Sequence, residues 1–209
     1  PATAGVDDFT FDSVTADYYL DVDADGHSTL TTVETLVARF PDFDQNRGII
    51  RAIPNDYDGV PLNTQVISVT DATGAPVPFT QDVIGNFVEL ALGTDDFVRG
   101  EQTYVIEYTQ TNVVRYFADL DVDEFYWDVN GTGWDQPFGE VSMSLVIDPE
   151  LEASVTGDAA CYRGYLGDAT PCEIVAGPAN FTATVTDLEP AQTLTVSVGF
   201  VADTFVTPE

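Results

Sequence analysis

Short runs in which apolar and polar residues alternate, separated by turn residues, constrain this fold more than any other feature. Such runs occur at 18–23, 30–37 and 103–109, and alternation of this kind is typical of half-buried β-strands. Gly- and Asp-containing turn sequences lie between the runs, for example at 24–27 and 71–74. No stretch shows a convincing helical period. The pattern therefore predicts an all-β fold, an antiparallel β-sandwich that is Ig-like or larger.

The predicted strands extend over most of the chain, which indicates one domain. The 209 residues are enough for one large β domain or for two small ones. We predict a single sandwich-like domain over residues 1–209, with a subdomain boundary near 148–150 as the alternative, because Asp148-Pro149 ends a predicted strand. Outside the runs named above, strands are predicted at 65–70, 77–81, 86–92, 140–147, 181–186 and 193–200.

The charge of the chain excludes some classes of partner. Lys and Arg together number 6, all of them Arg, against 36 acidic residues, and the net charge is -30. A surface this negative repels phosphate backbones and anionic lipids, so nucleic acid is not expected as a partner. It attracts cations such as Ca²⁺ or a basic protein, although the favoured explanation of the charge is solubility outside the cell or tolerance of high salt. Because 44% of the residues are hydrophobic, a disordered acidic tail is excluded.

Two cysteines and the N-terminus point to an exported protein. Cys161 and Cys172 are the only cysteines, and in an exported protein such a close pair predicts a disulfide, here stapling a C-terminal hairpin. Metal ligation by the pair is disfavoured because the only histidine, His27, is distant in sequence. The residues Pro1 to Ala4 resemble a sequence that starts just after a signal peptide. No apolar run approaches the ~20 residues that a membrane-spanning helix needs.

The stretch 117–147 contains the densest acidic cluster. Four carboxylates fall within six positions, namely Asp119, Asp121, Asp123 and Glu124. A Gly-containing loop follows at 130–133, and carboxylate oxygens beside such a loop are ligands that Ca²⁺ prefers. No cofactor is predicted apart from calcium, for which the first three of these acids are the candidate metal ligands. The favoured alternative is that the acids cap a turn or pair with Arg47 and Arg51.

Both tryptophans of the chain lie in the same stretch. Alternation places Trp127 on one strand face and Tyr126 and Asp128 on the other. Aromatic rings beside acids and amides are typical of a carbohydrate-binding surface, and two of the acids could be the carboxylates of a glycosidase. Aromatic residues more often pack in a core, however. No catalytic residue is predicted. The candidate binding residues are Arg47, Arg51, Asp123, Glu124, Tyr126, Trp127, Asp128 and Trp134.

A second acidic motif lies at 21–26, where Asp-x-Asp-x-Asp-Gly imitates the start of an EF-hand calcium loop. The twelfth position of that loop should be a bidentate Glu, and here it is Thr32. The flanking segments also have the alternation of strands, whereas an EF-hand requires helices. The motif therefore predicts a hairpin turn between two strands.

Several of these segments, in order and spacing, resemble one family over most of the chain. The resemblance is to the N-terminal region of predicted bacterial membrane proteins in the domain-of-unknown-function 2207 family. The segments that carry it are Tyr18-x-x-Asp21-Val22 to Gly26, Thr32-Val33-Glu34, 47–54, Tyr104-Val105-Ile106-x-Tyr108, 123–131 with Trp134, and Ala160-Cys161-Tyr162-x-Gly164 with Cys172.

The resemblance implies an exported β-rich domain, preceded by a signal peptide and followed by transmembrane helices that this chain lacks. It brings no known activity and no catalytic residues. We therefore expect a non-catalytic extracellular domain of a bacterial membrane protein, with an interaction or sensing role at the cell envelope. The expected partner is an envelope protein or a cell-wall glycan. The alternatives are a calcium-assisted carbohydrate-binding module and a glycoside hydrolase.

Overall fold

The computed structural model describes residues 5–206 of the chain. The expectations that concern Pro1 to Ala4 and the region after Glu209 lie outside the described residues. The strands are β1 (Thr10–Val22), β2 (Ser28–Phe40), β3 (Asn46–Pro54), β4 (Asp56–Tyr57), β5 (Val60–Pro61), β6 (Gln65–Thr70), β7 (Phe79–Ile84), β8 (Phe87–Val98), β9 (Gly100–Thr111), β10 (Val114–Phe117), β11 (Val122–Asp128), β12 (Phe138–Ile147), β13 (Val155–Gly164), β14 (Thr170–Pro171), β15 (Ile174–Ala176), β16 (Asn180–Leu188) and β17 (Thr193–Val201), with one 3₁₀ turn at Glu152–Ser154.

Two large sheets form the body of the domain. The seven-stranded sheet has the order β15-β16-β12-β1-β2-β9-β6, and the five-stranded sheet has the order β10-β11-β17-β13-β14. The inner faces of the two sheets meet, since the ring centroids of Tyr18 on β1 and Phe125 on β11 lie 6.0 Å apart. Successive side chains of a strand point to opposite faces of its sheet, so alternate residues are buried between the sheets. On β11, Phe125 and Trp127 are buried and Tyr126 is exposed.

The prediction of an all-β, sandwich-like fold is confirmed, with one departure from antiparallel pairing. In the described part of the chain, β1 runs parallel to β12, with Tyr18 opposite Leu145, and all other strand pairs are antiparallel. Parallel strands require a long crossover connection, and here the connection is residues 23–137, which contain most of the other strands.

A smaller three-stranded sheet, β3-β8-β7, lies beside the seven-stranded sheet. On β3, Ile49, Arg51 and Ile53 are buried whereas Ile50 is exposed. Arg51 forms a salt bridge with Glu34 on β2. The buried face of the small sheet therefore packs on the large one, and its other face is left open.

One buried apolar cluster connects the sheets. It includes Ile53 of the small sheet together with Phe125 and Phe200 of the five-stranded sheet. Leu145 and Leu151, which lie on either side of positions 148–150, belong to the same cluster. The single domain over 1–209 and the alternative boundary near 148–150 both stay predictions.

The predicted disulfide is present. Cys161 and Cys172 are bonded, with their Cα atoms 5.0 Å apart. Cys161 lies on β13, and Cys172 directly follows β14, the strand that pairs with β13. The bond therefore staples a C-terminal hairpin at the end of the five-stranded sheet.

Reduction of this disulfide is expected to lower the free energy of unfolding by about 3 kcal/mol. The physical reason is that the bond closes a loop with a sequence separation of 11 residues and so restricts the unfolded chain. The measurement is urea unfolding of the native protein and of a Cys161→Ala/Cys172→Ala variant. A loss below about 1 kcal/mol would show that the unfolded chain gains little freedom when the bond is absent.

Candidate functional site

A cleft of about 1800 Å³ lies between the small sheet and the edge of the five-stranded sheet. Its floor is the open face of β3, β8 and β7, which includes Ile50, Phe87 and Glu89. Strand alternation turns these residues away from the core, because their neighbours Ile49, Val88 and Leu90 are the buried ones. The residues of β11 that line one wall are Glu124, Tyr126, Trp127 and Asp128, and the loop 131–136 closes one end.

Acidic side chains outnumber basic ones in the lining of the cleft. They are Asp7, Asp56, Asp58, Glu89, Asp95, Glu124, Asp128 and Asp135, against two arginines, Arg47 and Arg51. Both arginines are already engaged: Arg51 pairs with Glu34, and Arg47 donates to the carbonyl of Asp95 at 2.8 Å and lies over the ring of Phe97. Among residues 5–206, no salt bridge involves any of the acids that line the cleft. The cleft therefore carries an excess of negative charge, and no salt bridge within residues 5–206 neutralises its acids.

The wall acids on β11 are held by hydroxyl groups of β17. The hydroxyl of Thr195 donates to Asp128 Oδ1 at 2.6 Å, and the hydroxyl of Ser197 donates to Glu124. Tyr126 lies between the two acids and is 41% exposed. Partial burial and then the charge of Asp128 raise the pKa of Tyr126. The wall is thus a fixed row of carboxylate, phenol and carboxylate that faces the open space.

A buried ion pair lies beneath the floor of the cleft. Arg51 Nε and Nη2 donate to the two carboxylate oxygens of Glu34 at 2.8 and 2.7 Å, and the hydroxyl of Tyr108 donates to Glu34 Oε1 at 2.6 Å. Burial has the largest single effect and lowers the pKa of Arg51, but the charge of Glu34 and its hydrogen bonds to the guanidinium, together with smaller contributions from Tyr108 and Tyr18, raise that pKa above its ordinary value. Burial, followed by the charge of Glu34, raises the pKa of Tyr108 well above 10.0. This pair joins the small sheet to the large one.

The same arginine supports the loop that closes the cleft. The guanidinium of Arg51 lies 5.9 Å from the ring centroid of Trp134, and the indole of Trp134 donates to the carbonyl of Asn130 at 2.7 Å. The side chain of Asn130 donates in turn to the carbonyl of Gln192 at 2.9 Å. A Cβ placed on Gly131 would lie 3.1 Å from Arg51 Nη1, so the loop approaches the guanidinium closely. The end wall therefore depends on the buried ion pair.

Sequence reasoning missed Glu34 although the chain contains a signal for it. Glu34 is one of the alternate residues of β2 whose side chains are buried, and Thr32 and Leu36 are its neighbours on that face. A carboxylate on that face requires a buried cation or several hydrogen bonds. Arg51, on the buried face of β3, is that cation. Of the two arginines predicted to pair internally, Arg51 pairs with an acid, and Arg47 instead bonds to a backbone carbonyl.

The tryptophans line the cleft but are mostly covered. Trp127 and Trp134 are each 8% exposed. Trp127 stacks on Phe125, with ring centroids 5.6 Å apart, and meets the ring of Tyr57 at 6.4 Å. No broad tryptophan face is therefore open to a sugar ring. The role of both tryptophans in binding stays a prediction.

The acids predicted as calcium ligands point in different directions. Asp123 is 2% exposed and accepts the backbone N–H of Phe205 at 3.0 Å, whereas Asp119 and Asp121 are both exposed. Asp121 accepts the hydroxyl of Tyr116 at 2.9 Å. In the region from 5 to 206, these three acids do not form a group of ligand atoms within 4.8 Å of one another. Calcium binding at these residues stays a prediction that this geometry does not support.

The described residues do contain one group with metal-ligand spacing, Asp23, Asp25 and His27. It lies in the turn between β1 and β2 that was predicted from the EF-hand-like motif. Asp23 Oδ1 accepts the backbone N–H groups of Asp25 and His27 at 2.9 and 2.8 Å, and the bond from His27 lowers the pKa of Asp23. The carboxylate is thus used to fix the turn, as predicted.

Two substitutions of Asp123 are expected to distinguish the effect of its charge on stability from the effect of its hydrogen bond. Burial raises the pKa of Asp123 above its ordinary value, so the folded state binds this proton more readily and the ionised group costs stability at neutral pH. Asp123→Asn keeps an acceptor for Phe205, and we expect it to be more stable than the native protein at pH 7. The advantage should shrink as the pH falls through the folded-state pKa and vanish near the ordinary Asp pKa of about 4.

The control is Asp123→Ala, which leaves the backbone N–H of Phe205 without its acceptor. We expect this variant to lose about 1–3 kcal/mol relative to Asp123→Asn at pH 7. Urea unfolding at pH 4, 5.5 and 7 gives the stability of the native protein, of Asp123→Asn and of Asp123→Ala as a function of pH. An Asn variant whose advantage is the same at each pH would contradict the assigned charge cost.

The chain belongs to the family described as "Predicted membrane protein (DUF2207) N-terminal domain", which matches residues 14–200. This match confirms the family resemblance found in the sequence. A search among curated proteins finds no match. Over residues 5–206, no helix combines the length and the apolar character needed to cross a membrane.

Comparison with solved structures shows a shared fold. Native leukotriene A4 hydrolase from Saccharomyces cerevisiae is 10% identical, with a TM-score of 0.54, over 95% of this chain and 31% of that chain. The yeast hydrolase with bestatin gives 10% identity and a TM-score of 0.55 over 96% of this chain and 31% of that chain. An M1 zinc metallopeptidase from Deinococcus radiodurans is 10% identical, over 90% of this chain and 42% of that chain, with a TM-score of 0.46. The chain covers less than half of each of these enzymes, and the likeness to the hydrolase concerns the fold alone.

Proposed function

We propose that this chain is a non-catalytic domain on the extracellular face of a bacterial membrane protein, and that its acidic cleft binds a cationic partner of the cell envelope. The family supplies the assignment to a membrane protein. The observation that carries the binding role is the set of eight acids that line the cleft with no salt bridge to any of them among residues 5–206. Clefts lined by one sign of charge concentrate ligands of the opposite sign.

The form of the cleft supports binding to a large partner. Its volume of about 1800 Å³ exceeds the ~300–1,000 Å³ that is usual for small-molecule pockets. Exposed aromatic and aliphatic side chains lie between the acids, including Tyr126 at 41%, Phe87 at 40% and Ile50 at 58%. Apolar anchors with a charged surround suit a protein segment, and the net charge of -30 favours a basic one.

A calcium-assisted glycan-binding module is the second candidate, and one observation favours it. Tyr126 and Phe87 present exposed rings to the same cleft as Glu124, Asp128 and Asp135. Aromatic faces beside carboxylates suit sugar rings. On this view the exposed rings, and not the covered tryptophans, would form the stacking surface.

The test compares two triple variants that remove the same charge from different surfaces. Glu89→Gln/Glu124→Gln/Asp135→Asn neutralises the cleft, and Glu140→Gln/Glu150→Gln/Asp158→Asn neutralises exposed acids elsewhere. The probe is a blocked penta-lysine peptide, and its binding is monitored through the amide chemical shifts of the labelled chain. We expect shifts in the cleft, and binding at least about tenfold weaker in the cleft variant alone. Equal weakening in both variants would show that only net charge matters.

Purified cell wall, pelleted with the chain with and without Ca²⁺, decides between the two candidates. Saturable pelleting that requires Ca²⁺ and is lost in Tyr126→Ala would favour the glycan module over the cationic partner. Release of wall fragments that ceases in Glu124→Ala would contradict the non-catalytic assignment. No pelleting, together with penta-lysine binding in the cleft, is the result that we expect.

A further inference from the structure

The edge strand β7 has an open side. Within residues 5–206 it pairs with β8 alone and ends the three-stranded sheet, and all six of its residues are exposed. The backbone N–H of Gly93 donates to the carbonyl of Pro78 at 2.9 Å, which fixes the alternation of the ladder. In this alternation Thr80, Asp82 and Ile84 direct their backbone groups to β8. The N–H and C=O groups of Phe79, Gln81 and Val83 therefore face the free edge.

Few of the usual protections guard this edge. Soluble proteins block open edges with lysines, prolines, bulges or covering loops, whereas β7 is regularly paired over its whole length and holds one charged residue, Asp82. Its apolar residues are open to solvent, with Val83 66% and Ile84 53% exposed. An edge of this kind is a template for another strand.

The charge beside the edge indicates what kind of strand fits. Asp82 lies directly opposite Glu89 on β8, so the two carboxylates share one face of the sheet, and like charges in this relation destabilise a strand pair. Neither acid forms a salt bridge within residues 5–206. Glu89 also belongs to the floor of the cleft. A cation that approached along the edge would relieve the repulsion.

We propose that β7 accepts an extended, basic segment of a partner polypeptide as a fourth strand of the small sheet. The segment bonds to the free backbone groups of Phe79, Gln81 and Val83, and its Lys or Arg side chains lie next to Asp82 on the cleft side. Its apolar side chains lie next to Phe79 and Val83 on the other side. This proposal rests on the proposed function, because the cationic side chains enter the same acidic cleft.

A second copy of this chain does not fit the edge as well. Pairing two β7 strands would bring together Asp82 residues and two molecules that each carry a net charge of -30. Their mutual repulsion opposes such a dimer. The charge therefore selects a basic partner over self-association.

The experiment uses blocked octapeptides in which Lys alternates with Val or Thr, added to the ¹⁵N-labelled 209-residue chain. We expect amide exchange at Phe79, Gln81 and Val83 to slow by at least about tenfold on saturation. A peptide with N-methyl groups on the bonding edge keeps its charge and side chains but cannot form the ladder. That peptide should bind at least about tenfold more weakly and protect none of these amides.

The matched variants are Gln81→Pro and Gln81→Thr. Proline removes an outward N–H that β8 does not use, which an edge strand tolerates, whereas threonine keeps that N–H. We expect Gln81→Pro alone to lose the peptide. Asp82→Asn should weaken the Lys peptide and raise the thermal stability of the domain, because it removes the like-charge pair.

The outcomes separate this inference from the proposed function. Unchanged exchange at β7 with chemical shifts confined to the β11 wall would overturn the added strand and leave the cleft as a cation site. Equal binding of the N-methylated peptide, or of a peptide with Glu in place of Lys, would also overturn it. If the Asp82→Asn variant dimerises and still binds the Lys peptide as tightly as the native protein does, Asp82 serves only to prevent self-association. That result would overturn its role in recognising a basic segment.

Discussion

Replacing Arg51 with alanine is expected to lower the free energy of unfolding by about 3–5 kcal/mol. The change leaves the carboxylate of Glu34, which is 1% exposed, in the core without its cation. The hydroxyl of Tyr108 remains as a donor to it, but one neutral donor cannot replace a bidentate guanidinium. The loop around Trp134 also loses the side chain on which it packs. We therefore expect the end wall of the cleft to loosen together with the loss of stability.

Urea unfolding monitored by tryptophan fluorescence measures both the loss of stability and the loosening of the loop around Trp134. The double variant Glu34→Gln/Arg51→Met removes both charges, and we expect it to regain much of the loss, since a buried pair contributes little net stability. Arg99→Ala is the exposed control, because Arg99 and Asp44 form a surface pair, and it should cost at most about 1 kcal/mol. Equal losses in Arg51→Ala and in the double variant would contradict an uncompensated charge as the cause.

Replacing Gly48 with alanine is expected to cost at least about 3 kcal/mol. Gly48 lies opposite Gly93 where β3 pairs with β8, and its φ of 135° is a conformation that residues with a Cβ rarely adopt. A Cβ on Gly48 would lie 1.7 Å from the carbonyl oxygen of Leu92. Backbone cannot yield as a side chain can, so the two strands must separate at the floor of the cleft.

Gly85→Ala is the matched control for this steric effect. Gly85 also has a positive φ, of 57°, but a Cβ there meets nothing within 4 Å. Its cost should therefore be the conformational one alone, roughly 1 kcal/mol. Thermal and urea unfolding of both variants give the comparison. Similar losses at the two positions would show that the close approach to Leu92 is relieved by a small shift.

Local pattern in the sequence was enough to predict individual strands and their faces. The hairpin of β1 and β2 around the turn at 24–27, and the strand β6 at 65–70, occur where the alternation placed them. On β9, Tyr104, Ile106 and Tyr108 share the buried face, in agreement with the alternation of the run at 103–109. Such features depend on neighbours one or two residues away, and these are visible in any sequence.

Contacts between distant segments were not predictable in the same way. The parallel pairing of β1 with β12 joins residues that are 127 positions apart, as in Thr15 opposite Ser142. Alternation fixes which side of a strand is apolar, but it does not identify the strand that lies beside it. The small sheet, and with it the floor of the cleft, follows from such pairings.

The candidate site was therefore predicted in part. Glu124, Tyr126 and Asp128 lie together on the wall of the cleft because they occupy alternate positions of one strand. Asp123 turns to the opposite side for the same reason and holds the backbone of Phe205. The contributions of Phe87 and Glu89 arise from a separate sheet, and nothing in the acidic stretch indicated them.

The most direct test of a cationic partner in the cleft is photo-crosslinking in the full-length protein within its native membrane. A photoreactive phenylalanine replaces Tyr126 on the cleft wall in one strain and the exposed Glu140 on a remote surface in another. We expect one major adduct from position 126, with a Lys- or Arg-rich segment at the crosslinked site, and no such adduct from position 140. The same adducts from both positions, or a neutral or acidic segment at position 126, would contradict a cationic partner in the cleft.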